Sequence, residues 1–370
     1  MKHFSLFLLM RKVRIKQLDT IRALAIISVL ICHSLESIYN TLPEVFVTYP
    51  TATQIVLIII RLFGRIGVPF FLFLTGYLLL SRDYSKDNIK SFYIHKLLPL
   101  LICWELWIVI HNILSPFLLG NNFDLASTIR QLLFIDYLPY SHSWYMPMII
   151  GIYIFIPLVS LVLNKVGGKT ILFTMSIVYF YFFVVATMSH YFSCLGKNFI
   201  LSNYLDLSFS GSVYGFYIII GYLATRYKTI IKSLMTPFFR IALLLLALIS
   251  IIVTVLFQYF CYHSLNPYGE LWYDLFTIPI ISTILFILII NTKPFFITAS
   301  TNISHASFGI YLIHRIVQIF IVKYIFEYLD ISKSFKLIIL LPASFTISYI
   351  AVKAFCKLFP KASGVLFLCK

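Results

Sequence analysis

Three residues suited to proton-transfer chemistry stand within one long apolar stretch near the start of the sequence. His33 and Glu36 are three residues apart, and Arg22 stands eleven residues before His33. On an α-helix with 3.6 residues per turn, these spacings place the three side chains along one face. A buried neutral imidazole can take a proton from a hydroxyl group, and a neighbouring carboxylate can orient the ring. The spacing therefore predicts a general base, His33, oriented by Glu36.

Other ionisable residues interrupt later apolar stretches, where a charge is costly and usually lines a cavity or a pathway. They are Arg61, Arg65, Glu105, His314 and Arg315. With a rise of about 1.5 Å per residue, most of these groups and His33 lie within reach of the middle of a hydrocarbon layer about 30 Å thick. Arginines outnumber glutamates in this layer. We therefore expect it to be cationic and to suit an anionic ligand such as a phosphorylated cofactor.

Several of these residues also have a structural interpretation. Arg61 and Arg65 could equally be ion-pair partners of Glu36 or Glu105. The favoured role of Glu105 is to neutralise an arginine. His111 and His142 fall near the predicted outer interface, where polar side chains are common. We therefore expect these two histidines to be structural.

The composition excludes a soluble enzyme, a disordered tail and a nucleic-acid-binding domain. Hydrophobic residues make up 61% of the 370 residues and charged residues only 11%, and the mean hydropathy is +0.95. A soluble domain is about half apolar and about a quarter charged. The formal net charge is +16, but the basic residues stand in short loops between apolar runs and form no continuous patch. We therefore expect membrane lipids, and no nucleic acid, as partners.

The apolar runs predict an all-α polytopic membrane helix bundle with about ten transmembrane helices. The runs are 20–40, 55–80, 97–114, 144–163, 170–188, 211–226, 238–258, 272–291, 303–326 and 335–356. The weakest of them are 170–188 and 211–226. With this count, lysine and arginine concentrate in the loops on the side of the N-terminus, which predicts that both termini are inside.

We expect one membrane domain with short flanks: a cytoplasmic basic N-terminal arm at 1–19, a transmembrane domain at 20–358 and a cytoplasmic C-terminal tail at 359–370. The stretch 81–96 interleaves basic and aromatic residues, so it is either an interfacial amphipathic helix or an ordinary basic loop. The six cysteines are scattered without a C-x-x-C pair. We therefore expect neither a metal site nor a disulfide framework.

Glycines and a proline interrupt the second apolar run, at Gly64, Gly67, Pro69 and Gly76. Such breaks allow another helix to approach closely, or leave irregular backbone at a cavity. The sequence contains no G-x-S-x-G elbow, no H-E-x-x-H motif and no P-loop. A serine hydrolase, a zinc protease and an ATPase are therefore unsupported.

Four segments, in order along the chain, resemble the acyltransferase family 3 membrane proteins. The first is an arginine, ten residues and a histidine, matched by Arg22 and His33. The others are FGRIGVPFFLFLTGYLL at 63–79, SWYMP at 143–147 and SFGIYLIH at 307–314. The resemblance extends over residues 16–356. Many members carry Arg-x-Arg after the loop that follows the second helix, whereas this sequence has His95-Lys96-Leu97, so Lys90 and Lys96 are the substitutes.

This resemblance implies transfer of an acyl group, expected to be acetyl, from cytoplasmic acetyl-CoA to a hydroxyl group of a carbohydrate. The implied acceptor is a surface polysaccharide or its lipid-linked precursor, and the implied location is the bacterial inner membrane. No permanently bound cofactor is expected. His33 would act as the base or as a transient acyl carrier, oriented by Glu36. Arg22 would hold this helix or contact the donor phosphates.

The remaining buried polar residues receive expected roles from the same resemblance. Arg65, with Arg61 and Lys96, would bind the donor or stabilise the oxyanion. A second polar site near the reaction centre would consist of His314, Arg315 and Glu105.

Two alternatives stay open. Broken helices with charges at mid-membrane depth are also typical of secondary transporters, so export of a glycan or of a small anionic substrate is the main one. The missing inverted repeat counts against it. The second is a subunit of a biosynthetic complex without activity of its own. The buried polar layer counts against it, because a passive subunit has no need to tolerate the cost of such a layer.

Overall fold

The computed structural model describes residues 14–197, 206–207, 210–264 and 272–369. Within these ranges the chain is helical and has no β-strand, which confirms the all-α polytopic bundle. The α-helices run in chain order as α1 Lys16–Ile38, α2 Pro43–Phe46, α3 Thr51–Arg65, α4 Gly67–Leu79, α5 Lys86–Phe92, α6 Leu98–Leu118, α7 Leu125–Leu132, α8 Tyr145–Lys165, α9 Gly168–Tyr179, α10 Ala186–Cys194, α11 Ser212–Arg226, α12 Lys228–Leu234, α13 Pro237–His263, α14 Thr277–Ile290, α15 Ile297–Tyr324, α16 Lys333–Leu358 and α17 Pro360–Leu366.

Every predicted apolar run contains a helix. Eight helices in the described part of the chain are long and apolar enough to cross a membrane, where α3 with α4, α5 with α6, and α9 with α10 each count as one. The other two predicted runs correspond to α11 and α14, which have 15 and 14 residues. At about 1.5 Å per residue, each is shorter than a hydrocarbon layer of about 30 Å. The count of ten and the inside position of both termini stay predictions.

Helix α1 lies at the centre of the bundle and packs against α3, α4, α15 and α16. Its buried residues fall on every side of the helix rather than along one stripe, as expected of a helix enclosed by others. Two of its polar residues, Asp19 and His33, are buried along with the apolar ones. Central packing therefore carries the polar face of α1 into the interior of the protein.

The predicted break in the second run lies at Ile66, between α3 and α4. The lack of a side chain at Gly64 lets α1 come close, because an added Cβ there would lie 2.9 Å from the Cα of Cys32. The same holds for Gly67, where an added Cβ would lie 2.6 Å from the carbonyl oxygen of Ala25. This close approach holds Arg65 against the half of α1 that carries His33.

The chain outside the central helices also contributes structure. Residues 1–13 of the predicted basic arm lie outside the described residues, and α1 begins at Lys16. The stretch 81–96 contains the short helix α5, which buries Phe92. Of the two interpretations, a helix and an ordinary basic loop, the structure therefore has the helix. The predicted tail contains α17, which packs on α6 and α16. This return brings Cys369 to Cys356, and the two form a disulfide that the scattered cysteines gave no reason to expect.

Candidate functional site

The centre of the candidate site is the triad of His33, Glu36 and Arg65. The Nδ1 atom of His33 lies 2.9 Å from one carboxylate oxygen of Glu36. The other carboxylate oxygen accepts a hydrogen bond of 3.4 Å from Nη2 of Arg65. A carboxylate only accepts hydrogen bonds, so the hydrogen of a neutral His33 ring resides on Nδ1 and its Nε2 carries the lone pair. The contact between His33 and Glu36 is the one that the helical spacing predicted, and it fixes the tautomer of a neutral His33 ring.

Arg315 holds α15 against this part of α1. Its Nη1 donates hydrogen bonds to the carbonyl oxygen of His33 at 3.1 Å, to Oγ of Ser37 at 2.7 Å and to Oε1 of Gln318 at 3.2 Å. Gln318 in turn donates to Oγ of Ser34 at 2.9 Å. Arg315 therefore fixes the backbone that carries His33.

Two further histidines, His142 and His314, lie beside the His33 ring, and a third lies beyond them. The ring centroid of His314 lies 5.4 Å from that of His33 and 5.1 Å from that of His142. His111 lies next in line, with its centroid 5.6 Å from that of His142. We call His33, His111, His142 and His314 the histidine cluster. Nδ1 of His314 donates to the carbonyl oxygen of Tyr311 at 2.6 Å, so its Nε2 also carries a lone pair.

His111 and His142 are both buried within the bundle, at 0% and 1% exposure, and their predicted depth near the outer interface stays a prediction. The segment before α8 enters the bundle, where the Tyr311 hydroxyl donates to the carbonyl oxygen of His142 at 2.7 Å. Both ring nitrogens of each histidine lack a hydrogen-bond partner among the described residues. A sequence signal existed for His111, since Trp104, Trp107 and His111 recur at helical spacing and form the buried face of α6.

Two cavities meet beside this cluster. The smaller, which we call the histidine cavity, has a volume of about 20 Å³, roughly the space of one water molecule. Its lining residues are Val29, Cys32, His33, Gly64, Arg65, Val68, Phe71, His142, Trp144, Tyr145, Tyr273 and Tyr311. The larger, which we call the cationic cavity, has a volume of about 340 Å³. Phe71, Tyr145 and Tyr311 line both cavities and so form the boundary between them.

The cationic cavity combines apolar walls with three basic side chains, Arg22, Arg82 and Lys96, and none of its described lining residues has a carboxylate side chain. The apolar side chains come mainly from α4, α8 and α15. Its volume is at the lower end of the range typical of small-molecule sites, about 300–1,000 Å³. Sequence reasoning singled out Arg22 and Lys96 but not Arg82. The signal for Arg82 was its position two residues after the end of the second apolar run.

A buried carboxylate fixes Arg22 at this cavity. Asp19 accepts hydrogen bonds from Nε and Nη2 of Arg14 at 2.5 and 2.7 Å and from Oγ of Ser304 at 2.8 Å. Arg22 lies 3.5 Å from the same carboxylate and donates to Oγ of Ser304 at 2.9 Å. The hydrogen bond to Asp19 raises the pKa of the Arg14 guanidinium above its ordinary value. Arg14 therefore stays charged where α1 meets α15.

Comparison with known proteins identifies the family. A model of the acyltransferase 3 domain, described as an acyltransferase domain, matches residues 15–353. The chain belongs to the acyltransferase 3 family. No curated protein and no solved structure gave a match. The matched range includes every residue that lines the two cavities of this acyltransferase except Leu368.

Arg61 and Glu105 are among the predicted site residues of the acyltransferase that line neither cavity. Arg61 is buried and donates from Nη1 to the hydroxyl of Tyr262 on α13 at 2.6 Å. Glu105 has no hydrogen-bond or ion-pair partner among the described residues, so the expectation that it neutralises an arginine is wrong there. Its neighbours on the same side of α6, Ile102 and Leu106, are exposed. Glu105 therefore lies toward the outside of the bundle.

Aromatic rings continue the wall of the histidine cavity. The guanidinium carbon of Arg65 lies 4.9 Å from the ring centroid of Trp272 and 5.5 Å from that of Tyr273. The ring of Trp144 lies 6.2 Å from Trp272 and 5.7 Å from Tyr273. These cation–π contacts hold Arg65 between the carboxylate of Glu36 and the aromatic wall.

Among the described residues, Cys32, His33 and Glu36 form a group that could hold a metal ion, since their ligand atoms lie within 4.8 Å of one another. The carboxylate of this group already pairs with the imidazole and with Arg65. These contacts account for its burial without a cation, and the expected absence of a metal stays a prediction.

Proposed function

We propose that this multi-pass membrane acyltransferase transfers an acetyl group from acetyl-CoA to a hydroxyl group of a carbohydrate, either a surface polysaccharide or its lipid-linked precursor. The observation that carries the proposal is the meeting of the two cavities. One offers positive charge and apolar walls, and the other offers an oriented base. Phe71, Tyr145 and Tyr311 mark where a thioester from the first cavity would reach His33 in the second.

The cationic cavity suits the donor. Arg22, Arg82 and Lys96 can pair with the phosphate groups of coenzyme A, and charge-assisted hydrogen bonds to phosphate are among the strongest in proteins. The apolar walls suit the pantetheine arm. Because α1 enters the bundle close to Arg22, a cytoplasmic N-terminus would open this cavity to cytoplasmic acetyl-CoA. We therefore place the protein in the bacterial inner membrane with that orientation.

The chemical step uses the lone pair on Nε2 of His33. The imidazole takes the proton of the acceptor hydroxyl while the hydroxyl oxygen bonds to the carbonyl carbon of the thioester. The bond between carbon and sulfur then breaks, and the thiolate of coenzyme A takes the proton from His33. Glu36 holds Nδ1 throughout, and Arg65 stabilises the charge that develops on the carbonyl oxygen. In a two-step variant, Nε2 first carries the acetyl group itself.

The aromatic wall supports a carbohydrate acceptor. Trp144, Trp272 and Tyr273 offer flat apolar faces beside the Arg65 guanidinium. A sugar ring presents apolar C–H faces and a rim of hydroxyl groups, so it can pack on such a wall and donate hydrogen bonds nearby. The histidine cavity admits only a group about as large as a water molecule. A single hydroxyl group would therefore enter while the sugar ring stays at the wall.

The test is transfer of labelled acetyl from acetyl-CoA in membranes that contain the protein together with extracts of surface glycan. We expect His33→Ala to lower transfer by at least about 100-fold, with unchanged amounts of protein in the membrane. His190→Ala is the matched control, because His190 lines neither cavity. Wild-type rates in the His33→Ala protein would contradict the proposal, and glycan flux without acetylation would favour the transporter alternative.

A further inference from the structure

Residues 366–369 begin at the last residue of α17 and contact both α6 and α16. The carbonyl oxygen of Leu366 accepts hydrogen bonds from Nε1 of Trp107 at 2.8 Å and from Sγ of Cys103 at 3.1 Å. Phe367 is buried, with its ring centroid 5.7 Å from that of Trp107 and 5.3 Å from that of Phe355. The segment is therefore fastened to α6 and α16 rather than free.

A glycine on α15 makes room for this segment. A Cβ added at Gly309 would lie 3.2 Å from the ring of Phe367 and 2.7 Å from a methyl group of Val352. The next residue, Leu368, has a φ of +51°, a left-handed conformation that is uncommon for residues other than glycine. This turn leads the chain to the cationic cavity, which Leu368 lines together with Leu100 and Phe308.

Among the residues that the structure describes, Leu368 alone lines a cavity and lies beyond the family match, which ends at residue 353. It lines the cationic cavity and not the histidine cavity. Its side chain can therefore contact a ligand of the cationic cavity while it stays apart from the reacting atoms beside His33. A residue with that placement affects how tightly a donor is held, not how fast a bound donor reacts.

We propose that Leu368 is a binding residue for the acyl donor, and that segment 366–369 holds it as part of the wall of the donor site. The inference rests on the proposed function, because it takes the ligand of the cationic cavity to be an acyl-CoA. The wall contributes apolar contact, and it limits the space beside the three basic residues.

The experiment measures KM and kcat for acetyl-CoA with Leu368→Trp and Leu368→Ala in the full chain. A tryptophan fills part of the cavity, and we expect it to raise KM about tenfold. The alanine removes apolar contact, and we expect KM to rise about fivefold. The value of kcat stays within about twofold of wild type in both, since the chemistry at His33 is untouched. Val365→Trp is the matched control, because Val365 is exposed on α17 and lines neither cavity.

A wild-type KM in both variants, or a lower kcat at unchanged KM, would overturn the inference. Binding of coenzyme A to the purified wild-type and Leu368→Trp proteins, measured by calorimetry, separates this inference from the proposed function. Weaker binding in the variant would support the wall even if the wild type transferred no acetyl group. No binding of coenzyme A to the wild type would overturn both. Should Leu368→Trp fail to accumulate in the membrane, the alanine variant decides.

Discussion

The two halves of the histidine cluster differ in how completely their polar atoms are paired. On the side of α1, His33 and Glu36 are bonded to each other, and Arg65 and Arg315 hold the carboxylate and the backbone. On the opposite side, both ring nitrogens of His142 and Nε2 of His314 have no partner among the described residues. A buried polar atom without a hydrogen bond costs about 1–3 kcal/mol. Nε of Arg65 and Nε of Arg315 are unpaired as well among the described residues, so the contrast concerns the imidazole rings. We propose that the unpaired rings on the opposite side receive a ligand.

The largest effect should come from breaking the paired side. Glu36→Gln keeps the shape of the side chain but removes the charge that fixes the His33 tautomer and pairs with Arg65. We expect kcat to fall by about 100-fold or more, with KM for acetyl-CoA nearly unchanged, since Glu36 does not line the cationic cavity. Steady-state kinetics in membranes measure both. A rise in KM at constant kcat would show that Glu36 serves donor binding instead.

A smaller effect should come from the unpaired side. His142→Phe keeps a ring of similar size and removes both nitrogens. If these atoms bond to the acceptor, transfer should fall about tenfold, the equivalent of one hydrogen bond. The thermal stability of the purified protein should stay the same or rise, because the variant removes unpaired buried polar atoms. Acetyl transfer and a melting curve on the same preparation provide the check. If His142→Phe transferred acetyl at the wild-type rate, the unpaired side of the histidine cluster would have no role in acceptor binding.

The smallest effect should come from Glu105, which shares the residue type of Glu36 but lies outside both cavities. Glu105→Gln should change kcat and KM by less than about twofold, because surface substitutions away from a site have small effects. The variant is also the matched control for Glu36→Gln, with the same chemical change at a different position. A loss of activity similar to that of Glu36→Gln would mean that charge in the bundle matters regardless of its place.

Local periodicity explains which parts of the site could be predicted. His33, Glu36 and Arg22 lie on one helix, so a spacing of 3.6 residues per turn was enough to relate them. The break at Gly64 and Gly67 was visible as well, and it indicated the close helix contact that brings in Arg65.

Periodicity could not place what depends on loops or on neighbouring helices. His142 stands in a segment whose entry into the bundle depends on the Tyr311 hydroxyl, a partner 169 residues away in the sequence. Arg61 and Arg65 share a face of α3, yet Tyr262 binds the first and Glu36 the second. The return of residues 366–369 depends on space at Gly309. Each of these positions is decided by tertiary packing, which a single sequence does not contain.

The most direct measurement is an experimental structure of the protein with coenzyme A bound. We expect its phosphate groups beside Arg22, Arg82 and Lys96. We expect its thiol to pass Phe71 and Tyr145, so that the reacting groups lie about 3.5 Å apart in front of Nε2 of His33. Coenzyme A bound elsewhere, with His33 out of reach of its sulfur, would contradict the account.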